Sequence, residues 1–187
     1  CCRVYVFAMS EGIHKRFVSG KMSETPQVNL RVVRTEKSPA GRRDNGRADR
    51  SPQFGPDGQR VVTVSADNTA RVWDAPSGVE VARMTHDDAV YSAVFSPDGR
   101  WVVSGSFDGT ARVWEASSGV EVARMMHDEG VTTAAFSPDG RWIVSGSIDG
   151  TVRVWEASNG EEVASITHGN VVLSADFSPD GRWIVSG

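Results

Sequence analysis

The sequence predicts an all-β fold built from tandem four-stranded units. Three observations support this prediction. A Phe-x-Pro-Asp-Gly turn begins at positions 54, 95, 136 and 177, always 41 residues apart. The segments 95–135 and 136–176 are identical at 27 of 41 positions, which indicates a duplicated structural unit. Short apolar runs separated by turn residues fill each period. No segment of useful length has apolar residues at the 3.6-residue spacing of an amphipathic helix.

Each period contains four predicted strands, here called a to d. Strand a is mostly apolar, strands b and c are rich in β-formers, and strand d alternates between apolar and polar residues, as expected for a half-exposed strand. Asp-Gly at 98–99 and 108–109 and Ser-Gly at 118–119 favour tight turns between them. In one copy the predicted strands are 89–95, 101–106, 110–114 and 120–125.

Four antiparallel strands per period of about 40 residues are typical of a propeller blade. The predicted repeats are 54–94, 95–135, 136–176 and a partial repeat, 177–187. Propellers usually close with four to eight blades. We therefore expect an open arc of about three to three and a half blades. On this interpretation the chain is a fragment, and the rest of a parent chain supplies the missing blades.

Strand c ends at tryptophan followed by an acidic residue in three copies, at 73–74, 114–115 and 155–156. A histidine recurs upstream in phase, at 86, 127 and 168. These phased features resemble the WD40 repeat family over 54–187, about 70% of the chain. Two copies carry Trp-Glu in place of Trp-Asp, and no histidine follows a glycine. A TolB-type propeller is the alternative, because such propellers share the Ser-Pro-Asp-Gly turn.

The resemblance implies a buried hydrogen-bond relay in each blade. It runs from the strand c indole to a strand b hydroxyl, then to the histidine and to the aspartate of the b–c turn. The implied members are His86, Ser104, Asp108 and Trp114; His127, Ser145, Asp149 and Trp155; and Thr63, Asp67 and Trp73. In the first repeat Asn45 takes the histidine position.

Repetition of this polar set favours a structural role over a catalytic one, because an active site needs a single copy. Histidines 41 residues apart lie on different blades and cannot share a metal ion. We therefore expect no metal site and no cofactor.

Positions that differ between near-identical copies are free to serve a partner, whereas constant positions serve the scaffold. The variable positions are the residue just before the aspartate of the b–c turn and the residues on either side of the strand a valine. In the WD40 family these positions open onto the narrow top face, where peptides commonly bind. The resemblance thus implies an apolar, partly aromatic docking patch, with local loop packing as the alternative. Its predicted members are Ala89, Tyr91, Phe107, Thr132, Ile148 and Leu173.

Charge is divided unevenly along the chain. Residues 1–50 carry a net charge of +6, whereas 51–187 carry −10. We expect 1–53 to be a basic, poorly ordered flank; a nucleic-acid arm is the alternative, but the charges are scattered and lack interleaved aromatic residues. No apolar stretch approaches the ~18–20 residues of a membrane span. Cys1 and Cys2 are adjacent and fit neither a disulfide framework nor a zinc site.

The expected function is that of a non-catalytic scaffold or sensor module of a larger cytoplasmic protein, with a protein or peptide partner. The sequence contains no Gly-rich phosphate loop with Lys-Ser/Thr, no His-Glu-x-x-His and no Gly-x-Ser-x-Gly. The alternative is a regulatory propeller of a multidomain NTPase, kinase or protease whose catalytic domain lies elsewhere.

Overall fold

A computed structural model describes residues 52–187, which lie within one compact unit. The predicted flank 1–53 falls almost entirely outside the described residues, as does Asn45. The described part contains fourteen strands and no helix, which confirms the all-β prediction. The strands are β1 Gln53–Phe54, β2 Arg60–Val64, β3 Thr69–Asp74, β4 Glu80–Thr85, β5 Val90–Phe95, β6 Trp101–Ser106, β7 Thr110–Glu115, β8 Glu121–Met126, β9 Val131–Phe136, β10 Trp142–Ser147, β11 Thr151–Glu156, β12 Glu162–Thr167, β13 Ala175–Phe177 and β14 Ile184–Ser186.

The strands form three antiparallel sheets in which sequential strands are neighbours, plus one hairpin. β1 to β4, β5 to β8 and β9 to β12 each make a complete blade, and β13 pairs with β14 as half of a fourth. The strands of the second blade agree with the predicted ones to within one residue at each end. The partial, open propeller expected from the sequence is therefore confirmed. In the first blade, strand a is only the two residues of β1.

The blades pack through alternate residues of their strands, so that one face of each sheet meets the opposite face of the next. Val72 and Met84 of the first blade share a core cluster with Val102 and Trp114 of the second. The second and third blades repeat this arrangement, with Met125 packed in the same cluster as Trp155. Fully burying one such side chain contributes about 1.5–3 kcal/mol.

The outer part of the third blade lacks this cover. Met125 is 1% exposed, yet Ile166, the residue 41 positions later in β12, is 57% exposed. The difference arises because the fourth sheet has only its two inner strands among the described residues. Ala164 of β12 is exposed for the same reason, whereas its counterpart Ala123 in β8 is buried.

Candidate functional site

In the second blade, the structure joins four predicted relay residues by hydrogen bonds. The Trp114 indole N–H donates to Ser104 Oγ at 2.7 Å, and Ser104 Oγ lies 2.7 Å from His86 Nε2. His86 Nδ1 lies 3.0 Å from Asp108 Oδ2. An indole only donates and an ionised carboxylate only accepts, so every link is satisfied when His86 donates from Nδ1 to Asp108 and accepts at Nε2 from the Ser104 hydroxyl.

The third blade repeats the geometry. Trp155 donates to Ser145 Oγ at 2.7 Å, Ser145 Oγ lies 2.7 Å from His127 Nε2, and His127 Nδ1 lies 3.1 Å from Asp149. The His127 side chain is completely buried, so the relay is shielded from water. Such a fully satisfied network fixes the b–c turn relative to the loop that carries the histidine.

Only part of the relay can be followed in the first blade. Trp73 donates its indole N–H to Thr63 Oγ1 at 2.9 Å. Asp67 accepts hydrogen bonds from the backbone N–H and the hydroxyl of Thr69. The residue that would link the two groups, Asn45, lies outside the described part of the chain.

A strand c arginine extends the relay, and the sequence reasoning missed it. Arg112 is buried, and its guanidinium lies 2.9 Å from Asp108, 2.9 Å from Asp87 and 3.4 Å from Glu121. Its Nε donates to Thr110 Oγ1 at 2.9 Å. The available signal was the constant Thr-x-Arg-x-Trp pattern of strand c, which sets the three side chains on one face of the strand.

The network controls the ionisation of its members. Burial acts to raise the pKa of Asp108, but the hydrogen bonds from His86 and Thr110 outweigh it and hold that pKa well below its usual range. Burial likewise opposes ionisation of Asp149, yet hydrogen bonds from Thr151 and from the Asp128 backbone N–H lower its pKa to about 2. Burial lowers the pKa of His127 despite the neighbouring Asp149 carboxylate. Both aspartates therefore stay ionised at neutral pH.

We expect the chain to lose stability as the pH falls from about 4 to about 2. Asp149 has a folded pKa of about 2, against an ordinary value of 3.8. The unfolded state therefore takes up the proton first, and the ionised carboxylate contributes about 2 kcal/mol above pH ~4 that is lost as the pH falls through the folded pKa. Urea unfolding across this range should show a smaller loss in Asp149→Asn, and equally steep profiles would contradict the assignment.

The predicted patch residues lie on one edge of the arc, here called the top face, formed by the d–a loops and the b–c turns. Phe107 is 47% exposed, and its ring centroid lies 5.9 Å from that of Tyr91 in a tilted contact. The Phe107 backbone N–H donates to the Ala89 carbonyl oxygen at 2.9 Å, so the turn is tied to the loop. Tyr91 and Ala89 are half-buried.

The patch continues across the boundary between two blades. A Cβ atom added to Gly130 would lie 2.8 Å from the Phe107 ring and 3.2 Å from the Ile148 side chain. The two side chains thus flank this glycine, which leaves room for them. The Ile148 backbone N–H donates to the Gly130 carbonyl oxygen at 2.9 Å. Phe107 and Ile148 therefore lie side by side on the top face.

The other two predicted patch residues differ in how far they are available to a partner. Leu173 is 70% exposed. Thr132 is half-buried, and its hydroxyl lies 2.6 Å from the Val172 carbonyl oxygen and 3.0 Å from that of Gly146. The Thr132 hydroxyl is therefore used within the scaffold, between the third blade and the fourth sheet.

The family model described as WD domain, G-beta repeat matches the chain four times, at 50–74, 78–115, 120–156 and 160–187. These segments cover well over half of the sequence. The chain belongs to the WD40 repeat family. The resemblance inferred from the phased histidine and tryptophan is thereby confirmed. A comparison of the sequence with curated proteins found no match.

WD40 repeats are generally protein-interaction modules that bind protein partners, and WD40 propeller domains are typically non-catalytic. Within 52–187, no group of three or more His, Cys, Asp or Glu side chains is arranged to hold a metal ion. No helix among the described residues is long and apolar enough to cross a membrane.

Proposed function

We propose that this WD40 chain is a non-catalytic docking module that captures a protein or peptide through its top face. The carrying observation is the half-exposed Phe107 ring, which contacts Tyr91 and lies beside Ile148. An exposed aromatic ring supported from below by other side chains has the properties of an interface anchor.

The repeat itself supports this choice of surface. Phe107 and Ile148 occupy one repeat position, and Ala66 stands there in the first blade. The scaffold therefore accepts three different side chains at this position. By contrast, the histidine and aspartate of the relay are buried and hydrogen-bonded within the second and third blades. The variable position is the one free to acquire a partner.

The polar residues support a non-catalytic role. The Ser, His and Asp of the relay occur together in two blades with nearly identical distances. Each serine hydroxyl also accepts an indole N–H, which occupies the oxygen that a nucleophile would use. These side chains are thus already engaged in hydrogen bonds that stabilise the blades.

Phe107→Ala should weaken binding by about 2 kcal/mol, roughly 30-fold, because it removes an anchor at the centre of the patch. Peptides would be selected from a random displayed library against the chain, and their affinities measured by calorimetry. The free energy of unfolding should fall by no more than about 1 kcal/mol, because roughly half of the ring is already exposed to solvent.

Val120→Ala is the matched control. Val120 is an exposed apolar residue of the same blade, but it lies in the c–d turn at the opposite edge. Its truncation should leave peptide affinity unchanged. Unchanged affinity in Phe107→Ala with unchanged stability would move the binding site elsewhere, and a loss of stability alone would assign Phe107 to packing.

A further inference from the structure

Exposed carboxylates border the top-face patch. They are Asp87, Asp88, Asp128 and Glu129, called the acidic rim below. The backbone N–H of Asp87 donates to Asp108 at 3.0 Å, and that of Asp128 donates to Asp149 at 3.0 Å. The rim is thus held by the same turns that carry Phe107 and Ile148.

The second residue of each rim pair, Asp88 or Glu129, is also tied to a b–c turn, through its backbone carbonyl oxygen. Ser106 donates its hydroxyl to the Asp88 carbonyl oxygen at 2.9 Å, and Ser147 approaches the Glu129 carbonyl oxygen at 3.1 Å. These serines immediately precede the two patch residues in the b–c turns. The backbone of the rim residues is therefore held beside the apolar patch by the b–c turns.

Arginines neutralise only part of this charge. Arg112 lies 2.9 Å from Asp87, and Arg153 lies 3.5 Å from Asp128. Each of these guanidinium groups is also shared with a relay aspartate and a strand d glutamate. Among the described residues, neither Asp88 nor Glu129 forms an ion pair. The rim therefore keeps a net negative charge next to the exposed Phe107 ring.

We propose that the patch takes a cationic peptide segment in which lysine or arginine residues flank one apolar side chain. The apolar side chain packs on Phe107 and Ile148, and the cations lie against the rim. Burial of the anchor supplies most of the affinity, whereas the rim charges raise the association rate and reject acidic segments. This inference rests on the proposed docking function and adds the chemistry of the partner.

The test uses the full chain and three synthetic peptides of equal length. The first is lysine-rich with one central leucine, the second replaces each lysine with glutamate, and the third replaces the leucine with glycine. Fluorescence anisotropy would be measured at about 0.05 M and about 0.5 M salt. We expect the first peptide to bind best and to weaken with salt, because exposed charge pairs are screened.

Asp88→Asn and Glu129→Gln should each weaken the lysine peptide by about 2- to 5-fold, the usual effect of one exposed charge pair. Asn at position 88 can keep the side-chain acceptor that holds the Ala89 backbone N–H at 2.7 Å. Glu161→Gln is the matched control, because Glu161 is exposed in the c–d connection at the opposite edge. It should leave the affinity unchanged.

Several results would overturn the inference: no binding of the lysine peptide, equal binding of its glutamate counterpart, or an equal loss in Glu161→Gln. Failure of the charge inference is distinguishable from failure of the docking function. If library-selected peptides still lose affinity in Phe107→Ala while the rim variants have no effect, the docking function stands and the cationic partner is wrong. If Phe107→Ala has no effect either, both are wrong.

Discussion

Replacing Asp108 with alanine is expected to lower the free energy of unfolding by about 3–5 kcal/mol, the usual cost of removing one partner from a buried ion pair. The Asp108 carboxylate is 5% exposed and accepts hydrogen bonds from His86, Thr110, Arg112 and the Asp87 backbone N–H. Its loss leaves a buried guanidinium without its buried counter-charge. The change should be measured by urea unfolding at neutral pH, with hydrogen exchange locating the loss in the second blade.

Asp67→Ala is the matched control, because Asp67 holds the same repeat position in the first blade. Its carboxylate is 48% exposed, and its ion pair with Arg71 is correspondingly screened by water. We expect a loss of about 1 kcal/mol or less. Equal losses in the two variants would show that burial of the Asp108 network does not contribute, which would contradict the role assigned to it.

The sequence predicted the strands and the relay because both depend on features that repeat. Four strands per 41 residues follow from turn residues at fixed offsets, and the structure places the strands of the second blade within one residue of their predicted ends. The link between tryptophan, serine, histidine and aspartate required the family resemblance. Residues so far apart in sequence meet only when the strands of a blade pair side by side in the right register.

What the sequence could not predict depends on the neighbouring blade. Trp73 and Trp114 hold the same repeat position, yet Trp73 is half-buried and Trp114 is buried. Met125 and Ile166 differ in the same way at the other end of the arc. Nothing within one repeat distinguishes these residues, because their burial is decided by the sheet packed against them. The sequence likewise predicted a surface position for Thr132, but its hydroxyl forms a hydrogen bond to the Val172 carbonyl oxygen across the blade boundary.

The contact between blades also determines the second large effect that we expect, at the c–d turns. Gly78, Gly119 and Gly160 occupy one repeat position and all have positive φ, at 70°, 72° and 74°. A residue other than glycine costs about 1–2 kcal/mol in this left-handed conformation. Backbone conformation alone therefore predicts nearly equal losses for alanine at the three positions.

Their surroundings differ. A Cβ atom at Gly119 would lie 2.6 Å from the Arg83 carbonyl oxygen in β4 of the preceding blade, which is a backbone atom that cannot rotate away. At Gly160 the nearest atom, the Arg124 carbonyl oxygen, is 3.1 Å away, and at Gly78 nothing lies within 4 Å. The c–d turn of the second blade thus approaches the outer strand of the first more closely than a side chain permits.

We therefore expect Gly119→Ala to lower the free energy of unfolding by about 2–5 kcal/mol, the left-handed penalty plus about 1–3 kcal/mol of overpacking. Gly78→Ala should lose only the left-handed penalty of about 1–2 kcal/mol, and Gly160→Ala should fall between them. Urea unfolding of the three variants against the parent chain measures the series. Equal losses at all three positions would mean that the blades can move apart without cost, and the close approach would then contribute nothing to holding the first two blades together.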